Sequence, residues 1–148
     1  MWLTADTLRN GAASGHYYEN YVVMELVKNY AYAKSKVNIT YFRDSNAKEI
    51  DVFIEENNVI HPLEIKKSAS PDRREVKKYS VIDKASLNRG NGGIICMCEE
   101  PIPIDKDNCF IPSNLIWITP IAKVYFQETK QSPKALLFVL VRPENDRK

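Results

Sequence analysis

Residues 48 to 68, KEIDVFIEENNVIHPLEIKKS, alternate acid and hydrocarbon almost letter by letter, and that period of two leaves the segment few options. It marks extended strands with alternate side chains on opposite faces. Asn57 and Asn58 separate two β-rich runs, 49–55 and 59–67. Asparagine tolerates the left-handed backbone of a two-residue primed turn, so the segment predicts a hairpin whose paired residue numbers sum to 115. Asp51 then lies opposite Glu64, and Glu49 opposite Lys66. Since alternate residues share a face, Glu49, Asp51, Glu64 and Lys66 gather on one side, with Ile50, Val52, Ile54, Leu63 and Ile65 on the other. A plain hairpin with one face in water gives the same alternation. Pro62 lacks a backbone donor, which predicts an edge or a bulge in the second strand.

The flanks extend this hairpin into a domain. GHYYENYVVMELVKNYAYAK (15–34) predicts a helix, because steps of 100° from Glu19 bring Val22, Val23, Leu26, Tyr30 and Ala33 onto one stripe. Glu19 lies in the middle of that stripe. It either escapes to solvent from the first turn, where it favours the helix dipole, or points into a site. VNITYFR (37–43) predicts a strand ahead of the hairpin. After it, Ser70 as N-cap, Pro71 at the first helical position and Asp72 behind it predict a second helix over 71–88, ended by NRGNGG. GIICMC (93–98) reads as a buried strand, and ALLFVLV (135–141) as a further one. The order helix, three strands, helix, strand predicts a single α/β domain over residues 1–148, with a mixed sheet core flanked by helices.

Composition excludes several classes of function. The chain is 44% hydrophobic and 27% charged, as ordinary globular domains are, and no apolar run approaches the roughly 18 to 20 residues of a membrane span. The N-terminus has no basic stretch followed by an apolar core, so a cytoplasmic location is the expectation. Cys96, Cys98 and Cys109 cannot all pair with one another and read as core thiols. With His16 or His61 they match no common zinc spacing. Basic residues crowd between Lys66 and Arg89, eight against three acids, while the rest of the chain is net acidic. Arg73, Arg74, Lys77 and Lys78 are the candidates for a nucleic-acid-binding face, although a solvated helix surface gives the same run.

Asp51 followed thirteen residues later by Glu64-x-Lys66 resembles the PD-(D/E)XK nuclease core, with Ile50 where the motif has proline. On a longer scale the blocks GHYYENYVVMELVK, YFRDSNAKEIDVFIE, HPLEIKKSASP, YSVIDK, GGIICMC and FIP resemble a particular family. It is the domain of unknown function that follows the ATPase module in many bacterial and archaeal AAA-type ATPases. The resemblance spans about residues 2 to 112. It implies a restriction-endonuclease-like fold with Glu19, Asp51, Glu64 and Lys66 as site residues. It also implies DNA and an ATPase module as partners, this chain corresponding to the C-terminal part of a longer ATPase. No GxxxxGK[ST] loop is present, so the chain has no ATP site of that type.

The chemistry implied is phosphodiester hydrolysis with Mg²⁺ or Mn²⁺. Asp51, Glu64 and Glu19 would be ligands, since hard cations take oxygen and keep several waters. Lys66 would orient the attacking water or offset charge on the phosphate. Two alternatives remain at this level: a nuclease-fold module kept for binding nucleic acid or protein without turnover, and a structural module that makes homo-oligomers of an ATPase.

Overall fold

The computed structural model of the protein describes residues 4–116, apart from 35, 46 and 47. The strand expected at ALLFVLV lies outside the described residues. Helix α1 (Ala5–Asn10) leads into α2 (Ser14–Tyr32), followed by strands β1 (Asn38–Arg43), β2 (Glu49–Glu56) and β3 (Val59–Lys66). A 3₁₀ helix (Arg73–Tyr79) and α3 (Ser80–Lys84) cross over to β4 (Gly92–Cys96), and β5 (Ile102–Pro103) and β6 (Asn108–Pro112) follow. The strands form a six-stranded mixed sheet in the order β1-β2-β3-β4-β6-β5. β1, β2 and β3 are antiparallel neighbours, whereas β4 runs parallel to both β3 and β6. The chain is therefore α/β, as its element order predicts. Among the described residues no helix is long and apolar enough to cross a membrane.

Two apolar layers cover the sheet. On one face Val22, Leu26 and Tyr30 of α2 pack on Val52, Ile54, Leu63, Ile65, Ile95 and Ile111. The predicted stripe is thus the buried face of α2, although the helix ends before Ala33, which is exposed. On the other face Val76 and Tyr79 of the crossover pack on Ile50, Ile94, Cys96 and Phe110. Covered on both sides, β4 is buried along its whole length, as parallel strands are. Each large apolar side chain so buried contributes on the order of 2 kcal/mol.

The hairpin has the expected register. Asn57 and Asn58 take φ of 52° and 62°, and Val52↔Leu63, Phe53↔Pro62, Ile54↔His61, Glu55↔Ile60 and Glu56↔Val59 are paired. One face assignment is overturned. Thr40 pairs with Phe53 and Phe42 with Ile50, so Asp51 and Val52 together stand opposite Tyr41 alone. This β-bulge resets the alternation, and Ile50 joins the crossover core while Val52 joins the α2 core.

Pro62 lies neither on an edge nor in a bulge of its own strand. The bridge Ile60↔Arg89 and the ladder that starts at Leu63↔Gly93 differ by one residue in offset. The irregularity falls instead on the partner segment beside the missing donor.

The second helix also departs from expectation. Its N-cap is Asp72, whose Oδ1 accepts from the Arg74 amide at 2.8 Å, rather than Ser70; Pro71 precedes the cap, and the helical segment ends at Lys84. Its first part is 3₁₀. In that geometry residues three apart stack on one another, so the buried Val76 and Tyr79 lie on a single row toward the sheet.

Gly93, the second residue of β4, lies where the neighbouring strand leaves no room for a side chain. A Cβ there would stand 2.6 Å from the Cys109 carbonyl oxygen and 2.8 Å from Ile111 Cδ1. Gly93→Ala should therefore destabilise the protein by about 1–3 kcal/mol, read as a lower urea midpoint with an unchanged slope. Equal stability of the variant would mean that β4 and β6 part there at no cost.

Candidate functional site

The bulge that redirects Ile50 also opens the hairpin. In a two-residue hairpin every second pair exchanges two hydrogen bonds, and by the register above the next such pair after Val52↔Leu63 would be Ile50↔Ile65. The β2–β3 ladder stops before it. The Ile65 amide instead donates to Asp51 Oδ2 at 2.7 Å. A side chain has taken the place of a backbone acceptor, and the strands splay apart around it.

Glu64 lies beside this opening and is 1% exposed. Its Oε1 receives two ammonium groups, Lys66 Nζ at 2.6 Å and Lys78 Nζ at 2.9 Å. Lys78 also reaches Glu75 Oε2 at 3.0 Å, whereas Lys66 stands 4.0 Å from that oxygen. Glu64 Oε2 is buried and has no hydrogen-bond partner among the described residues. Such an atom normally finds a donor or a cation, because an unpaired buried oxygen costs about 1–3 kcal/mol.

These groups line one cleft of about 500 Å³. β2 and the turn before it supply Lys48, Glu49 and Asp51, β3 supplies Glu64 and Lys66, the crossover supplies Lys78, and α2 supplies His16 and Glu19. Glu19 is thus a wall residue of the cleft, and the four carboxylates and the lysine singled out in the sequence line the same cleft. Lys48 is held there by the turn, in which its amide donates to Asp44 Oδ1 at 2.8 Å.

The electrostatics follow from burial and like charge. Asp51 is pushed up to about 7, first by burial and then by the Glu64 carboxylate, against the pull of the Ile65 amide and Lys66. Burial alone would lower Lys66 and Lys78, but their bonds to Glu64 outweigh it and both are raised. Tyr79, buried beneath, donates to the Gly93 carbonyl at 2.7 Å, and its hydroxyl is raised well above its ordinary value by burial and the two carboxylates.

The donor set suits a hard divalent cation held by few protein ligands. Asp51 and Glu64 offer two carboxylates, one with the unpaired Oε2, which fits the sparse protein coordination typical of Mg²⁺. Among the described residues no three His, Cys, Asp or Glu side chains meet closely enough to hold an ion together. Glu19 stands in the wall of the same cleft.

The other candidates are dispersed. The Arg73 guanidinium donates to the Pro103 carbonyl and lies 6.0 Å from the centre of the Phe110 ring. Arg74 pairs with Asp72 at 2.7 Å, and Lys77 is exposed. Only Lys78 of the four enters the cleft. Sequence reasoning placed it in a basic run without seeing that Glu64 lies within its reach. His16 and Lys48 carried no signal as cleft residues beyond their chemistry. His61 is buried, with Nδ1 2.9 Å from the Asn91 carbonyl oxygen. The Cys96 and Cys98 sulfurs are 3.3 Å apart, and burial pushes Cys98 and Cys109 up to about 12, which keeps both as thiols at neutral pH.

A carboxyl whose folded value exceeds its unfolded one binds its proton more tightly in the fold, so stability declines as pH rises between the two values. For Asp51 that window runs from 3.8 to about 7. Asp51→Asn keeps an acceptor for the Ile65 amide and removes the titration. Relative to the parent it should gain about 1–2 kcal/mol between pH 4 and 7, with no further gain above, measured by urea unfolding at a series of pH values. A difference that does not vary with pH would show that Asp51 ionises freely.

No curated protein and no solved structure matches the chain. One family model does, that of a domain of unknown function (DUF4143), over residues 14–116. The match spans α2, all six strands and every residue lining the cleft. The protein belongs to the DUF4143 family.

Proposed function

We propose that the cleft is a metal-dependent phosphodiester hydrolase site that acts on DNA, in a fold of restriction-endonuclease type. The observation that carries this reading is the buried Glu64 with its unpaired Oε2 beside Asp51, with Lys66 two residues on. Asp51 and Glu64 would hold Mg²⁺ or Mn²⁺, which supplies charge against the phosphate and acidifies a bound water. Lys66 Nζ orients the attacking water or offsets the charge that builds on the phosphate oxygens. Glu19, in the wall of the same cleft, would hold a second ion or help to hold a bound water. The exposed Lys77 would meet the DNA backbone, where each phosphate contact adds salt-dependent affinity. The resemblance to domains that follow AAA-type ATPase modules adds an ATPase as the partner in a longer protein.

A second reading, a module that binds without turnover, draws on one observation. The two ammonium groups on Glu64 Oε1 already offset its charge, so the fold has a cation-free way to tolerate the carboxylate.

Titration with Mn²⁺ and cleavage of supercoiled and branched DNA with Mg²⁺ or Mn²⁺ separate the two. Under the hydrolase reading, Asp51→Asn abolishes metal binding. Lys66→Ala keeps the metal and loses on the order of a hundredfold in rate. A parent protein that takes up no Mn²⁺ would leave the binding module as the surviving reading. Cleavage that persists in both variants would place the activity outside this cleft.

A further inference from the structure

We propose that Lys78 is a substrate-contacting residue of this cleft, its ammonium a second point of contact for a phosphodiester beside Lys66, with Glu75 as its positioning residue. The inference rests on the reading of the cleft as a phosphodiester site, but it concerns a residue outside the Asp51 and Glu64-x-Lys66 pattern. Lys78 arrives from the crossover, on the 3₁₀ helix, and its side chain is 24% exposed, less than the 38% of Lys66. It is one of the residues that line the cleft. Its ammonium touches Glu64 Oε1 at 2.9 Å and Glu75 Oε2 at 3.0 Å. An ammonium group carries three donors, so these contacts leave one for an oxygen that enters the cleft.

Glu75 makes the arrangement more than a buried ion pair. Residues three apart eclipse one another in a 3₁₀ helix, which sets Glu75 directly beside Lys78 on the same row. Lys78 thus has a second anchor and stays over the cleft when Glu64 turns to another cation. Lys66, 4.0 Å from Glu75, has no such close anchor beyond Glu64. Two ammonium groups flanking one carboxylate match the two non-bridging oxygens of a phosphodiester, each met by a compact point charge. Arg73 and Arg74, engaged with the Pro103 carbonyl and with Asp72, do not compete for this role.

The test uses the full chain as the parent protein, Lys78→Gln, Lys78→Arg and Glu75→Gln. A control of equal charge change is Lys106→Gln, which is 88% exposed in the turn between β5 and β6. Each is measured for Mn²⁺ affinity, for binding of a short DNA duplex in Ca²⁺ and in metal-free buffer, and for cleavage with Mg²⁺. Lys66 Nζ, 2.6 Å from Glu64 Oε1 in the parent, leaves the buried carboxylate a partner when Lys78 is replaced, so the fold is expected to persist. Lys78→Gln should hold Mn²⁺ within about threefold of the parent and bind the duplex about tenfold or more weakly, with most of the loss recovered in Lys78→Arg. Glu75→Gln should retain Mn²⁺ and raise KM more than it lowers kcat, a split that a merely structural role would not produce. Lys106→Gln should match the parent. Duplex binding by Lys78→Gln equal to the parent's overturns the inference, whatever the parent does with metal. Failure of the parent to take up Mn²⁺ would overturn the hydrolase reading alone, because duplex binding in metal-free buffer still decides Lys78. A parent that binds no duplex overturns both.

Discussion

Glu64 is a carboxylate taken almost wholly out of water, and much of the molecule is arranged around that fact. An ionised group so placed costs several kcal/mol unless close cations offset it. The two that do so come from different parts of the chain. Lys66 lies on the same strand, two residues on, and Lys78 descends from the crossover. The carboxylate therefore ties the crossover helix to β3 by charge at the point where Val76 and Tyr79 tie it by apolar contact. What Glu64 leaves unsatisfied is as telling as what it pairs. Its second oxygen faces no donor, beside an aspartate that burial and like charge hold near neutrality.

Asp51 stands beside that oxygen in a strand that does not finish its ladder. The bulge opposite Tyr41 turns Ile50 into the crossover core and leaves Asp51 to take the Ile65 amide. The sheet is then pinned from both faces, by α2 through Val52 and Ile54 and by the crossover through Ile50. A splayed hairpin between two packed layers is a rigid opening, because neither strand can close without moving a core residue. Site and core are held by the same two strands, one on alternate residues of the other.

Much of this was legible before any coordinates. The pairing sum of 115 and the two asparagines at positive φ emerged as read, and so did the buried stripe of α2. Glu19 was ambiguous in the sequence because an acid in a helix's first turn is tolerable in water; only the approach of α2 to β2 and β3 makes it a wall of the cleft. Pro62 predicts an edge or a bulge in its own strand, and the structure has neither, the offset falling on the partner segment. The sequence predicts the helix after Pro71 too long and with the wrong cap, since propensity does not reveal that the segment carrying the buried Val76 and Tyr79 winds as a 3₁₀ turn.

The sequence by itself determined what is local and periodic: the turn of the hairpin with the register of its paired part, and the amphipathic helix. These follow from a side-chain period of two or of 3.6 and from a turn that only a few residues accept. The tertiary structure alone decided the face of Ile50, the unpaired oxygen of Glu64 and the entry of Lys78. Each of these depends on which distant segment packs where, and burial of charge depends on every neighbour at once. A lysine fourteen residues along the chain from Glu64 becomes its partner because the crossover returns across the sheet, a contact no periodicity encodes.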